Sequence, residues 1–151
     1  LLLLAVALGV LILDQGSKYI VQQAMAEGAS YPIIENVLHL TYVRNPGAAF
    51  GMLPNKTLFF IAVSLVVVAG TLYYYRSVPR EQTGLRWALG MIIGGAIGNL
   101  IDRIRFGEVV DFFDFRVWPV FNIADSAIVV AVGIIFLYLL KDGKTGKQAK
   151  G

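Results

Sequence analysis

The stretch VVDFFDFRVWPVFNIADSA, residues 109–127, places Asp111, Asp114 and Asp125 close together in a chain that is otherwise mostly apolar. Asp111 is flanked by valine and phenylalanine, more apolar cover than a solvated loop needs, and desolvation disfavours the charged form of a carboxyl group. Two carboxylates in one partly dry site do not both ionise readily, so one holds a proton while the other stays charged. Such a pair can turn water against an amide: the ionised member takes a proton from water, and the protonated member polarises the carbonyl oxygen and helps protonate the leaving nitrogen. Alternation along DFFDF sends Asp111 and Asp114 to opposite faces of an extended segment, and Glu108 follows Gly107 in a turn. The residues therefore favour Asp111 with Asp125.

Other chemistries lack their parts. The chain has no cysteine and one histidine, His39. A disulfide framework, a thiol nucleophile, a Ser/His/Asp triad and a His/Cys metal site are each incomplete. No cofactor or metal is expected, and no nucleic acid.

The elements that position these acids are membrane helices. Of 151 residues 57% are hydrophobic and 15% charged, with mean hydropathy +0.69, outside the range of soluble globular domains. A bilayer core roughly 30 Å thick asks for about 20 apolar residues per span. Four segments qualify: Leu1 to about Ala26, Leu58 to Tyr75, about Leu85 to Ile101, and Ile123 to Leu140. The opening LLLLAVALGV has no small-residue cleavage site after it, so it reads as a retained helix and not as a signal peptide. Lys and Arg concentrate in RSVPREQTGLR and in the tail KDGKTGKQAK, which places both termini in the cytoplasm. The loops at about 27–57 and 104–121 then face outward. The first contains YPIIENVLHLTYVRN, whose alternation and β-branched residues suggest strands at the membrane surface. The expected fold is an all-α integral membrane protein of four transmembrane helices with a small extracytoplasmic β-sheet or loop region between helices one and two. Residues 1–140 form its one domain, and 141–151 are a basic, disordered cytoplasmic tail held near anionic lipid.

Every polar residue embedded in a span lies toward the outer side: Asp14 and Lys18 in the first, Asn99, Asp102 and Arg103 in the third, Asn122 and Asp125 at the start of the fourth. Asp14 and Lys18 are four apart and share a helix face, as a structural ion pair or as part of a site. Asp102 and Arg103 have the same two readings. Gly94, Gly95 and Gly98 are small enough to let a neighbouring helix come close. Asn122 with Asp125 suits a helix N-cap, and Asn-Pro-Gly at 45–47 suits a turn beside a strand edge or a peptide-holding amide.

Taken in order, DQGSK (14–18), RNPGAAFG (44–51), GGAIGNLIDR (94–103), VVDF (109–112) and FNIADSA (121–127) resemble the motif set of the bacterial lipoprotein signal peptidases, also called signal peptidase II. The resemblance spans nearly the whole chain; Ser17 stands where threonine is more usual. It implies a four-helix aspartic endopeptidase of the bacterial cytoplasmic membrane. Its substrates would be prolipoproteins, cut immediately before a diacylglyceryl-modified cysteine. The catalytic dyad falls on Asp111 and Asp125. Asp14, Lys18, Asn45, Gly95, Asn99, Asp102, Arg103 and Asn122 fall on supporting positions, and the loop from Asn45 to Phe50 would cradle the peptide. The partners it implies are prolipoprotein and membrane lipid, with the enzyme a monomer.

Two other classes remain open at this level. A small transporter or channel could use the same acids as an ion path, although they cluster on one side. A non-catalytic scaffold could use them only as caps and ion pairs.

Overall fold

The computed structural model describes residues 1–47 and 56–148, the last seven of these as backbone alone. Its elements in chain order are α1 (Leu2–Ala24), β1 (Ser30–Ile34), β2 (Leu38–Asn45), α2 (Thr57–Tyr75), α3 (Thr83–Phe106), β3 (Val109–Asp114) and α4 (Ile123–Gln148). All four helices are long and apolar enough to cross a membrane. At about 1.5 Å per residue, even the 19 residues of α2 approach the thickness of a bilayer core.

Helix α3 is the centre of the bundle. About 61% of its most apolar window is buried, against 6% for α2 and 17% for α4, so α3 meets protein where the others meet lipid. Its sequence explains this through close packing. A Cβ on Gly94 would lie 2.6 Å from the Ala7 carbonyl oxygen of α1, and one on Gly95 would lie 2.6 Å from that of Ala124 in α4. With nothing there, α1 and α4 close onto neighbouring faces of α3 at backbone distance, near enough to each other that the Ala124 N–H reaches Asp14. At one end of the bundle Val78, Leu85 and Leu89 form an apolar cluster, where Arg86 donates to the Val78 carbonyl and stacks over Tyr75. At the other end lies the sheet.

That sheet is antiparallel with order β1-β2-β3. The strands expected between the first two helices are present as β1 and β2. The third strand comes from the other loop, between α3 and α4, and it carries Asp111 opposite Val43. Both faces of β3 are largely covered, so its apolar run lacks clean alternation and reads as a loop in the sequence. Its inner face joins Val21, Met25 and Tyr42 through Val110 and Phe112, which fastens the sheet to the end of α1.

Two boundaries differ from expectation. Helix α3 continues to Phe106 and stops at Gly107, whose φ of 79° is the left-handed cap that favours glycine. Helix α4 runs to Gln148, so the backbone of 141–148 is helical where a disordered tail was expected. A helix already nucleated in a span extends at little cost per residue. Residues 149–151 lie outside the described residues, as do 48–51 of the RNPGAAFG motif and hence half of the expected peptide cradle.

Candidate active site

Asp125 stands in the first turn of α4, and capping explains how it is held. Its backbone N–H donates to Asn122 Oδ1 at 2.9 Å, and the Asn122 N–H returns a bond to Asp125 Oδ2 at 3.3 Å. This reciprocal pairing is a capping box. It leaves the Asn122 amide nitrogen free for other acceptors: Asp111 Oδ1 at 2.7 Å, Asn99 Oδ1 at 3.0 Å and the Val110 carbonyl at 3.2 Å. Capping and site-building are therefore done by one residue.

Asp111 also accepts from Asn45 Nδ2 at 3.1 Å, and the Gly47 N–H bonds Asn45 Oδ1 and fixes which way that amide points. Burial, then the neighbouring charge of Asp125, push the Asp111 carboxyl up to about 7, with the amides of Asn45 and Asn122 and the Lys18 charge pulling the other way. Asp114 has the opposite setting. Burial alone would raise it, but the Arg116 backbone N–H, the Thr41 hydroxyl and the Arg116 guanidinium together hold it below the ordinary carboxylate range.

Behind these acids lies a buried polar layer. Lys18, 1% exposed, bridges Asp14 and Asp102 at 2.8 Å each and donates to Asn99 Oδ1 at 2.9 Å. Asn99 then donates to Asp125 Oδ1 at 2.8 Å. Asp14 Oδ1 accepts the Ala124 N–H and Asp102 Oδ2 accepts the Val110 N–H. Among the described residues no buried side-chain N or O atom lacks a hydrogen-bond partner, as a low-dielectric site demands.

A cavity of about 360 Å³ opens at these acids, lined by Asn45, Asn99, Arg103, Asp111 and Asp125 and by the apolar Phe60, Trp118, Phe121 and Ile128. An apolar groove of about 220 Å³ shares Phe60, Asn99, Arg103 and Ile128 with it and continues along α2 and α3 past Val63, Val67 and Ile92. Among the described residues no group of three His, Cys, Asp or Glu side chains could hold a metal ion.

Asp14, Lys18, Asn45, Asn99, Asp102, Asn122, Asp111 and Asp125 are thus joined in one network. Asp102 and Arg103 are not a pair: Asp102 turns inward to Lys18, while Arg103 lies 4.9 Å over the Phe60 ring and donates to the Gly47 carbonyl at 3.5 Å. Gly95 carries no side chain into the network and serves by closeness to Ala124. One member escaped the sequence reading. Gln15 Nε2 donates to Asp102 Oδ1 at 2.9 Å, to the Gly98 carbonyl at 3.1 Å and to Asp14 Oδ2 at 3.2 Å. The available signal was an amide directly beside an intramembrane acid.

Four spans, a small sheet at one end and a cavity between them holding two carboxylates define a multi-pass membrane enzyme. Two solved structures described as bacterial membrane enzymes share the fold: one with TM-score 0.90 and 36% identity, covering 95% of this chain and 90% of that one, the other with TM-score 0.85 and 37% identity, covering 93% of each. The chain belongs to the lipoprotein signal peptidase family, whose sequence profile, Signal peptidase (SPase) II, matches residues 6–141. The lipoprotein signal peptidase of Halothermothrix orenii is 50% identical over 141 residues, 93% of this chain and 97% of that protein. That of Moorella thermoacetica is 50% identical over 146 residues, 96% and 97% respectively. The activity is that of an aspartic peptidase that cleaves the signal peptides of prolipoproteins.

Proposed function

We propose that Asp111 and Asp125 are the catalytic pair and that the scissile peptide lies in the cavity between them. The observation that carries this is their joint exposure to one cavity while Asn122 bonds both. On this reading Asp111, whose carboxyl is raised by burial, is the protonated partner and Asp125 the base. Asp125 takes a proton from a water molecule whose oxygen attacks the carbonyl carbon, and Asp111 gives its proton to the carbonyl oxygen. The tetrahedral diol then collapses: the C–N bond breaks, Asp125 passes its proton to the leaving nitrogen, and a diol hydroxyl returns a proton to Asp111. Amide and water become acid and amine, and both aspartates return to their starting states.

The apolar groove beside the cavity suits a lipid-modified substrate. A diacylglyceryl-cysteine reaching the site sideways from the bilayer leaves its chains against α2 and α3 while its backbone meets the acids, and cleavage falls before that cysteine. The Arg- and Lys-bearing ends of the spans face the cytoplasm, so the sheet and the cavity lie at the outer face, and one chain contains the whole site. Arg103, beside the cavity and fixed over Phe60, is placed to orient substrate carbonyls.

The test is cleavage in detergent or lipid of a diacylglyceryl-modified prolipoprotein and of its unlipidated form, with wild type, Asp111→Asn and Asp125→Asn. Cleavage of the lipidated form alone, lost in both variants while they stay folded, is expected. Near-normal turnover by either folded variant overturns the dyad.

A further inference from the structure

The cavity accounts for Asp111 and Asp125, yet the most completely buried cation of the described residues lies outside it. Lys18 is 1% exposed and does not line the cavity, so it cannot touch substrate. An ammonium has three N–H donors, and the structure gives this one three acceptors: Asp14, Asp102 and Asn99. Each of those acceptors leads within one residue to an acid of the dyad. Asp14 holds the N–H of Ala124, directly before Asp125. Asp102 holds the N–H of Val110, directly before Asp111. Asn99 donates to Asp125 itself.

The third bond also decides an orientation. With Lys18 and Asn122 both donating to Asn99 Oδ1, the Asn99 amide can turn only its NH2 toward Asp125. Reversed, it would set an oxygen against the carboxylate and a donor against the ammonium.

We propose that Lys18 is a positioning residue: its ammonium sets the relative placement of Asp111 and Asp125 by joining the two carboxylates that hold the backbone just before each, and by fixing the amide of Asn99. This rests on the reading of Asp111 and Asp125 as the dyad. The competing account is a buried ion cluster that serves stability alone, and such clusters are often replaced by neutral groups without loss. The two accounts part on what survives neutralisation.

The experiment compares wild type, Lys18→Met and the neutral triple variant Asp14→Asn/Lys18→Met/Asp102→Asn, with kcat and KM measured on a lipidated prolipoprotein and folding followed by thermal melting in detergent. Lys18→Met leaves two buried carboxylates uncompensated and can fail to fold; the triple variant removes that charge while keeping oxygens that accept the Ala124 and Val110 N–H groups. A folded triple variant whose kcat falls at least about 100-fold, the scale of a misplacement of about 1 Å, with KM within about threefold, is the expected result. Wild-type kcat in the triple variant overturns the inference, and so does a loss of activity that only tracks unfolding or weakened substrate binding. Asp111→Asn and Asp125→Asn run beside them separate the two levels: activity in those variants defeats the dyad itself, whereas their inactivity with an active triple variant defeats the role of Lys18 alone.

Discussion

Asp111, 2% exposed and drawing its neutral form from burial and from the charge of Asp125, gives a pH signature with a definite sign. Its folded-state value of about 7 lies above the ordinary carboxylate range, so the folded protein keeps a proton that the unfolded chain releases. Its contribution to stability is full below the ordinary value and declines as pH rises toward about 7. Asp111→Asn removes that decline. The variant should gain melting temperature over wild type on going from about pH 5 to about pH 8, with a free-energy change on the order of 1 to 4 kcal/mol; a pH-independent difference would contradict the assignment. On the proposed mechanism, the kcat/KM of wild type should fall as pH passes upward through about 7, as Asp111 loses the proton assigned to it. Asn122 separates two roles that its motif alone does not. Asn122→Ala should cost about 1 kcal/mol as a lost cap but reduce turnover about 100-fold or more, since the same side chain holds Asp111. Asp114→Asn, whose carboxylate is engaged by Thr41 and Arg116 away from the cavity, should leave turnover within about threefold.

Helices packed at backbone distance make glycine substitutions a direct probe of the elements. A Cβ at Gly95 would meet the Ala124 carbonyl oxygen at 2.6 Å and Ile128 at 2.9 Å, while one at Gly70 in α2 meets nothing within 4 Å. Gly95→Ala should therefore cost about 1 to 3 kcal/mol through forced separation of α3 from α4, and lower kcat because Asp125 begins α4 next to Ala124. Gly70→Ala should be neutral or gain up to about 1 kcal/mol from helix propensity; thermal melts of both, with kcat, decide the contrast. The same packing explains what was legible in advance. Spans of continuous apolar residues announce themselves, and the polar residues at one end of the first, third and fourth could be assigned to a common site because helical spacing places them on shared faces. Strand β3 was not legible. Its partner β2 lies 64 or more residues away in sequence, as in the pairing of Asn45 with Val109, and no local pattern encodes a partner that distant. Gln15 escaped for a related reason: its three acceptors belong to α1 and α3 together, and only the helix packing brings them into reach.

At the scale of the whole molecule the architecture has two unlike ends. One carries the sheet, the polar network and the cavity; the other is closed by the apolar cluster of Val78, Leu85 and Leu89 beneath the turn between α2 and α3. Helix α3 passes between them and holds both. Its burial reflects the difference between this bundle and a soluble one: apolar faces gain nothing by leaving lipid for each other, so small residues and polar contacts, not greasiness, determine which helix is central. On the proposed mechanism the carboxylates need an aqueous supply and a lipid-modified substrate needs lipid, and a cavity at one end of the spans beside an apolar groove suits both. The proposed orientation rests on charge: Arg76, Arg80 and Arg86 cluster at the closed end, and such clusters favour the cytoplasmic side. The chain has no cysteine, so single cysteines report orientation without background. In intact cells a membrane-impermeant maleimide should label Glu35→Cys, in the exposed turn between β1 and β2, and spare Arg80→Cys until the membrane is opened. The reverse pattern would put the cavity on the cytoplasmic side and overturn the proposed orientation.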